Sequence, residues 1–195
     1  MIAGIVQTLL PAGSLQIIRI EQIYGFIALG LIYFALLASP LTAVFPGFRY
    51  REQYIFARRG IGVAGFYFAV LHTALAFFGQ LGGFTGVKYY TTTYSVSISL
   101  GTLALVVLLI MALTSFDGII RAMSYRRWKL MHRSVYIAGL AIIVHFALIG
   151  SQYMNGVDAF FIITYLLIAL LLVLEVLRFR IYLKKRREKK KGNNV

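Results

Sequence analysis

Three histidines, His72, His132 and His145, are the residues best suited to chemistry in this 195-residue chain, and all lie in or beside long uncharged apolar segments. A histidine inside hydrocarbon is expensive to bury, so it marks a ligand site, a proton path or a well-satisfied polar contact. The chain has no cysteine, which removes disulfides, thiolate ligation, iron–sulfur clusters and thiol catalysis together. Chemistry here runs on imidazole, or on a bound group that imidazole holds.

The elements that must position these side chains follow from the apolar runs. Stretches without Asp, Glu, Lys or Arg extend over Gln22–Phe48, Gly60–Val87, Tyr89–Phe116, Ser134–Val157 and Ala159–Leu174. Each of the first four exceeds the roughly 20 residues that cross a ~30 Å hydrocarbon core. The fifth becomes long enough if Glu175 sits at the interface, paired with Arg178 one turn later. The expected fold is an all-α polytopic transmembrane helical bundle with five clear spans, at about 22–42, 60–80, 94–116, 129–151 and 158–180.

Ile2–Leu10 is apolar but too short to cross, and Pro11 and Gly13 follow it. Without the basic n-region of a secretory signal it reads as a half-inserted or interfacial segment, or a short sixth helix, rather than a cleaved leader. With a hydrophobic fraction of 60%, residues 1–183 read as one membrane domain and 184–195 as a basic tail. That tail is expected to be too short to fold around a flavin or a nicotinamide. Punctuation falls at Pro40, at Pro46–Gly47, along Gly79–Gly83 and at Asn155–Gly156, with Asp158 placed to cap the last helix.

The net charge of +14 reports topology. Alternating the loops across the membrane puts eighteen of the 20 basic residues on one face, leaving Arg19 and Lys88 opposite, balanced by Glu21 and Asp158. The positive-inside rule makes the basic face, and with it the C-terminus, cytoplasmic in a plasma (inner) membrane. Lys184–Lys191 reads as a stop-transfer cluster on lipid headgroups, with anionic lipid or an acidic protein as further partners. Nucleic acid is excluded, because no aromatic or helical reading platform accompanies the charges.

Depth separates the histidines. His72 lies thirteen residues beyond Arg59 and His145 twelve beyond Arg133, about 20 Å and about 18 Å along their helices. Both helices run outward from the basic face, so the two histidines reach matching depth on different helices, as axial ligation of one haem requires. A proton relay and plainly packed histidines remain alternative readings of the same pair. Gly60, Gly62 and Gly65 would let a flat macrocycle approach the backbone, or simply let helices touch. His132 sits at the inner boundary, and on one ideal helix it would point roughly 140° away from His145. It therefore binds a second, inner haem or hydrogen-bonds at the interface.

Arg58-Arg59-Gly60-Ile61-Gly62 followed by Leu71-His72, and Trp128-Lys129-Leu130-Met131-His132-Arg133-Ser134-Val135-Tyr136 followed by His145-Phe146, resemble two helices of the ferric reductase-like transmembrane family. Leu100-Gly101-Thr102 running to Ala112-Leu113-Thr114-Ser115 resembles the span between them. Ile61 and Met131 stand where the family motifs carry Leu. Within the family the chain is most similar to haem-binding membrane subunits of the bacterial periplasmic methionine sulfoxide reductase system.

The resemblance implies a protein that binds b-type haem, one or two per chain, and passes electrons across the membrane. His72 and His145 match ligand positions, and His132 matches an inner ligand position of members with two haems. Arg133 and Lys129 could pair with propionates of such an inner haem. Three histidines cannot supply two fully bis-histidine haems. The implied donor is a cytoplasmic flavin reductase, a flavin with no readable motif, or quinol; the implied acceptor is an extracytoplasmic redox protein or substrate. Alternatives are a ferric or other metal reductase acting directly on an outer substrate, a proton-coupled transporter and an assembly subunit.

Overall fold

The computed structural model describes residues 14–153 and 159–192. Among them are five helical stretches long and apolar enough to cross a membrane, covering Gln16–Val44, Arg51–Gln80, Thr92–Leu113, Arg126–Ile149 and Phe161–Glu188. The protein is an all-α polytopic membrane protein, as its apolar runs predict. The short N-terminal segment, Asn155–Gly156 and the Asp158 cap lie outside the described residues.

In chain order, α1 is Ser14–Val44, α2 Arg51–Leu75, α3 Thr92–Leu113, α4 Asp117–Ala122, α5 Tyr125–His132, α6 Val135–Tyr153 and α7 Ala159–Gly192. Two compact units result: one joins the chain up to Ile32 with Gly62–Tyr153, and the other joins Tyr33–Ile61 with the residues after Tyr153.

In the first unit, α3 and α6 pack along one another through small residues. Ser97, Ala104, Leu108 and Ala112 are buried on α3, and Val135, Ala138 and Ala141 on α6. These positions recur at intervals of three, four or seven residues, one helix face in each case, and small side chains let the backbones approach where lipid provides no hydrophobic drive. The first part of α1 meets α2 in the same way: a Cβ on Gly65 would stand 2.9 Å from Ile32 Cγ1, and the Tyr24 and Phe68 ring centroids are 5.8 Å apart. A π-helical turn at Ala76–Gln80 ends α2. Gly82 and Gly83 then adopt φ of 63° and 67°, a left-handed conformation open to glycine without penalty, so the chain turns where the glycine run predicts. Thr91 Oγ1 accepts from Tyr94 N at 3.3 Å to cap α3.

The structure departs from the sequence reading in three places. Helix α1 begins before residue 22 and takes Arg19 and Glu21 into its body. It also runs through Pro40 to Val44 instead of stopping. A proline removes a helical hydrogen bond and crowds the preceding turn; in the second unit, side chains add hydrogen bonds to neighbouring groups on either side of it. Thr42 Oγ1 donates to Ala38 O at 2.7 Å, Arg58 Nε to Ala35 O at 3.0 Å, Arg58 Nη1 to Ser39 Oγ at 2.8 Å and Tyr54 OH to Phe34 O at 2.6 Å.

Third, His132 and His145 do not share a helix. The chain breaks at Arg133–Ser134, where Arg133 N donates to Leu130 O and Ser134 N to Met131 O. These tight i→i+3 bonds interrupt the α-helical phase, so the 140° angle drawn for one ideal helix does not apply. In the second unit α7 stays helical through the basic stretch expected as a tail. Its Arg178 Nη2 lies 2.9 Å from Glu175 Oε2, the predicted pair.

Candidate functional site

Helices α2 and α6 bring His72 and His145 together within the first unit. Their ring centroids are 6.4 Å apart and the ring planes nearly perpendicular, at 82°. The matched depth inferred from counting residues is thus realised in space.

Each ring is held by the helix opposite it. His72 Nδ1 lies 3.1 Å from the backbone oxygen of Glu21 on α1 and 2.9 Å from Glu21 Oε1. His145 Nδ1 lies 2.8 Å from the backbone oxygen of Ser97 on α3. A carbonyl oxygen only accepts, so in both residues Nδ1 carries the hydrogen, and in the neutral ring Nε2 is left with the lone pair. Ser97 Oγ lies 3.1 Å from the same Nδ1 and donates to the His145 carbonyl at 3.1 Å, tying α3 to α6.

One turn beyond each acceptor stands a glycine whose missing side chain makes room for the ring. A Cβ on Gly25 would lie 2.9 Å from His72 Nδ1, and a Cβ on Gly101 2.9 Å from His145 Nδ1. Both distances are too short for any real side chain. The two cradles repeat one pattern: Glu21, Gly25, Ala28 and Ile32 on α1 match Ser97, Gly101, Ala104 and Leu108 on α3. A small residue, Gly65 or Ala138, stands seven positions before each histidine. Sequence reasoning missed the repeat. Its signal was a polar residue followed at +4, +3 and +4 by Gly, Ala and an aliphatic residue, twice.

Two of the glycines singled out in the sequence do not line the histidines. A Cβ on Gly60 would meet nothing within 4 Å, and Gly65 serves the contact with Leu31 and Ile32. Glu21, read from sequence as a boundary charge, is a buried partner of His72 with 8% of its surface exposed.

His132 belongs to a separate cluster at the end of α3. Its ring stacks on Trp128 with centroids 4.2 Å apart, and its Nε2 lies 3.3 Å from Thr114 Oγ1. The Thr114 hydroxyl hydrogen is directed to Ile110 O at 2.8 Å, so the histidine is the donor and Nε2 carries a hydrogen. Trp128 Nε1 donates to Thr114 O at 3.2 Å, satisfying a carbonyl at the α3 terminus. Arg133 caps the C-terminal end of α5 and is exposed.

A polytopic helical membrane protein with two facing histidines, each oriented by an acceptor on a neighbouring helix, is the class this fold and site define. Residues 23–144 match the ferric reductase like transmembrane component family. The chain belongs to that family. It is 34% identical over 90 residues to the protein-methionine-sulfoxide reductase heme-binding subunit MsrQ of Deinococcus radiodurans, a match covering 46% of this chain and 44% of that protein. To the MsrQ of Cronobacter sakazakii it is 29% identical over 131 residues, 65% of this chain and 62% of the relative. To the magnetosome protein MamZ of Paramagnetospirillum magneticum it is 32% identical over 103 residues, 51% of this chain and 15% of the relative. The chain thus spans about half the length of the heme-binding subunits it matches.

Proposed function

We propose that this protein is a haem-binding electron-transfer subunit of the plasma membrane in which His72 and His145 are the axial ligands of one b-type haem. One observation carries the reading: two histidine rings from different helices stand 6.4 Å apart, with both Nδ1 atoms engaged by acceptors behind them. Two metal–imidazole bonds of about 2 Å, with about 1 Å from each nitrogen to its ring centre, require a separation of about 6 Å. The donor set agrees. Among the described residues no three His, Cys, Asp or Glu side chains converge, whereas a metal already held by a macrocycle needs only two axial nitrogens. The names of the MsrQ relatives, heme-binding subunits of a methionine sulfoxide reductase, support the same reading.

Bis-imidazole haem supplies one-electron transfer and has no open position for substrate. The chain's own residues do the rest. Glu21 and Ser97 fix tautomer and ring orientation, so each histidine presents the Nε2 lone pair without rearrangement. Gly25 and Gly101 let the rings lie against the facing helices, and the apolar spans exclude water.

Electrons then run from a cytoplasmic flavin reductase, flavin or quinol to an extracytoplasmic acceptor, of which a methionine sulfoxide reductase is the kind the relatives favour. The concentration of basic residues at one set of helix ends supports a cytoplasmic C-terminus. The stacking of His132 on Trp128 and its contact with Thr114 support one haem rather than two, with His132 and Arg133 as interfacial residues.

The test is a spectrum. Purified protein should carry haem in one-to-one ratio with a reducible Soret and α-band, and His72→Ala or His145→Ala should lose the low-spin form. A colourless wild type, or either variant with an unchanged low-spin spectrum, would refute the assignment.

A further inference from the structure

The two histidine cradles are near copies that differ in one group, and the difference carries a consequence for electron transfer. Where α3 offers His145 the backbone carbonyl and hydroxyl of Ser97, α1 offers His72 a backbone carbonyl and the carboxylate of Glu21. That carboxylate lies on a membrane-spanning helix and is almost fully covered. A buried acidic residue on a membrane-spanning helix is unfavourable, and the α3 copy demonstrates that a serine suffices to hold a histidine ring. Holding the ring therefore does not explain the acid.

We propose that Glu21 is a positioning residue that acts through His72 to lower the reduction potential of the bound haem and make its two axial ligands electronically unequal. The inference rests on the haem reading above. A hydrogen bond from Nδ1–H to a carboxylate is stronger than one to a neutral oxygen and raises the basicity of the metal-bound nitrogen. A more basic ligand favours the ferric over the ferrous state, so the carboxylate holds the reduced centre at a more strongly donating potential. His145, bonded to neutral oxygens, exerts no such pull. The low potential would suit a centre that must pass its electron outward rather than store it.

The experiment is a redox titration of the haem-loaded full-length protein, in wild type, Glu21→Gln, Glu21→Asp and Ser97→Ala. Glu21→Gln keeps an acceptor for Nδ1–H and removes the charge. It should load haem, keep a low-spin spectrum and shift the ferric/ferrous equilibrium about tenfold toward ferrous, which for one electron is a rise of about 59 mV. Glu21→Asp, which keeps the charge, should move less than half as far, and Ser97→Ala, which keeps the backbone acceptor, should barely move. A Glu21→Gln potential equal to wild type, or equal shifts in Gln and Asp, would overturn the proposal. If Glu21→Gln loses haem while Glu21→Asp retains it, the charge serves haem binding rather than the potential, and the proposal is overturned. Loss of haem from both with helical content intact makes Glu21 a packing residue and overturns it. Failure of the underlying reading is distinct, because the wild type would then carry no haem to titrate.

Discussion

Replacing Gly101 by alanine adds a single methyl group at the point where α3 passes behind His145. That methyl carbon would lie 2.9 Å from Nδ1, 3.0 Å from Cε1 and 3.5 Å from Cγ of the ring, whereas carbon atoms in contact prefer about 3.5–4.0 Å. The ring must retreat by roughly half an ångström or more. The Nδ1 bond to Ser97 O, now 2.8 Å, would then stretch past the ~3.2 Å limit of a sound N–H···O bond. Overpacking of this kind destabilises by about 1–3 kcal/mol, and a weakened hydrogen bond adds about 1 kcal/mol. The displaced imidazole also loses its fixed orientation, for which a 10–100-fold loss of metal-centre affinity is the usual scale. Gly101→Ala should therefore show reduced haem-to-protein ratio, a high-spin component and a lower Tm. Gly60→Ala is the control, since nothing stands within 4 Å of its added methyl; there the helix should gain roughly 0.5–1 kcal/mol. Wild-type haem content, spin state and Tm in Gly101→Ala would refute the cradle argument. So would an equal loss in both variants.

Three further outcomes follow from the same geometry. His132→Ala should leave the haem-to-protein ratio at one while lowering stability by about 1–2 kcal/mol for the lost stacking and hydrogen bond; a fall from two to one would establish a second haem. A reporter fused after Val195 should read as cytoplasmic and one inserted at Gly83 as extracytoplasmic, because the basic residues cluster on the tail's side; the reverse pattern would invert the proposed electron flow. Arg58→Met should lower Tm by an amount corresponding to roughly 1–3 kcal/mol, since the Ala35 carbonyl and Ser39 hydroxyl lose a charged donor beside Pro40. An unchanged Tm would mean that water or another group replaces it.

The sequence alone determined what depends on neighbours along the chain. Spans are legible because a helix satisfies its own backbone and the bilayer sets its length, so uncharged runs of sufficient length are helices wherever they pack. The depth of His72 and His145 is legible for the same reason: rise per residue is constant, and counting from Arg59 and Arg133 brought both to one level. The pairing across α2 and α6 needed only that the two helices meet.

What the tertiary structure decided depends on neighbours far apart in sequence. Glu21 looked like a boundary residue because a charge ordinarily ends a span. Its partner is 51 positions away, and only the packing of α1 against α2 puts a histidine where that carboxylate can be buried. The role of a glycine is likewise fixed by what faces it. Gly60, Gly62 and Gly65 drew notice by their own spacing, whereas Gly25 and Gly101 matter because an imidazole from another helix occupies the space a Cβ would take. The relation of His132 to His145 depended on whether residues 125–153 form one helix, and the bonds at Arg133 and Ser134 broke the phase that angle arithmetic assumed. Hydropathy records where each segment lies in the bilayer; which side chains meet there is set by contacts between helices, a property no single segment carries.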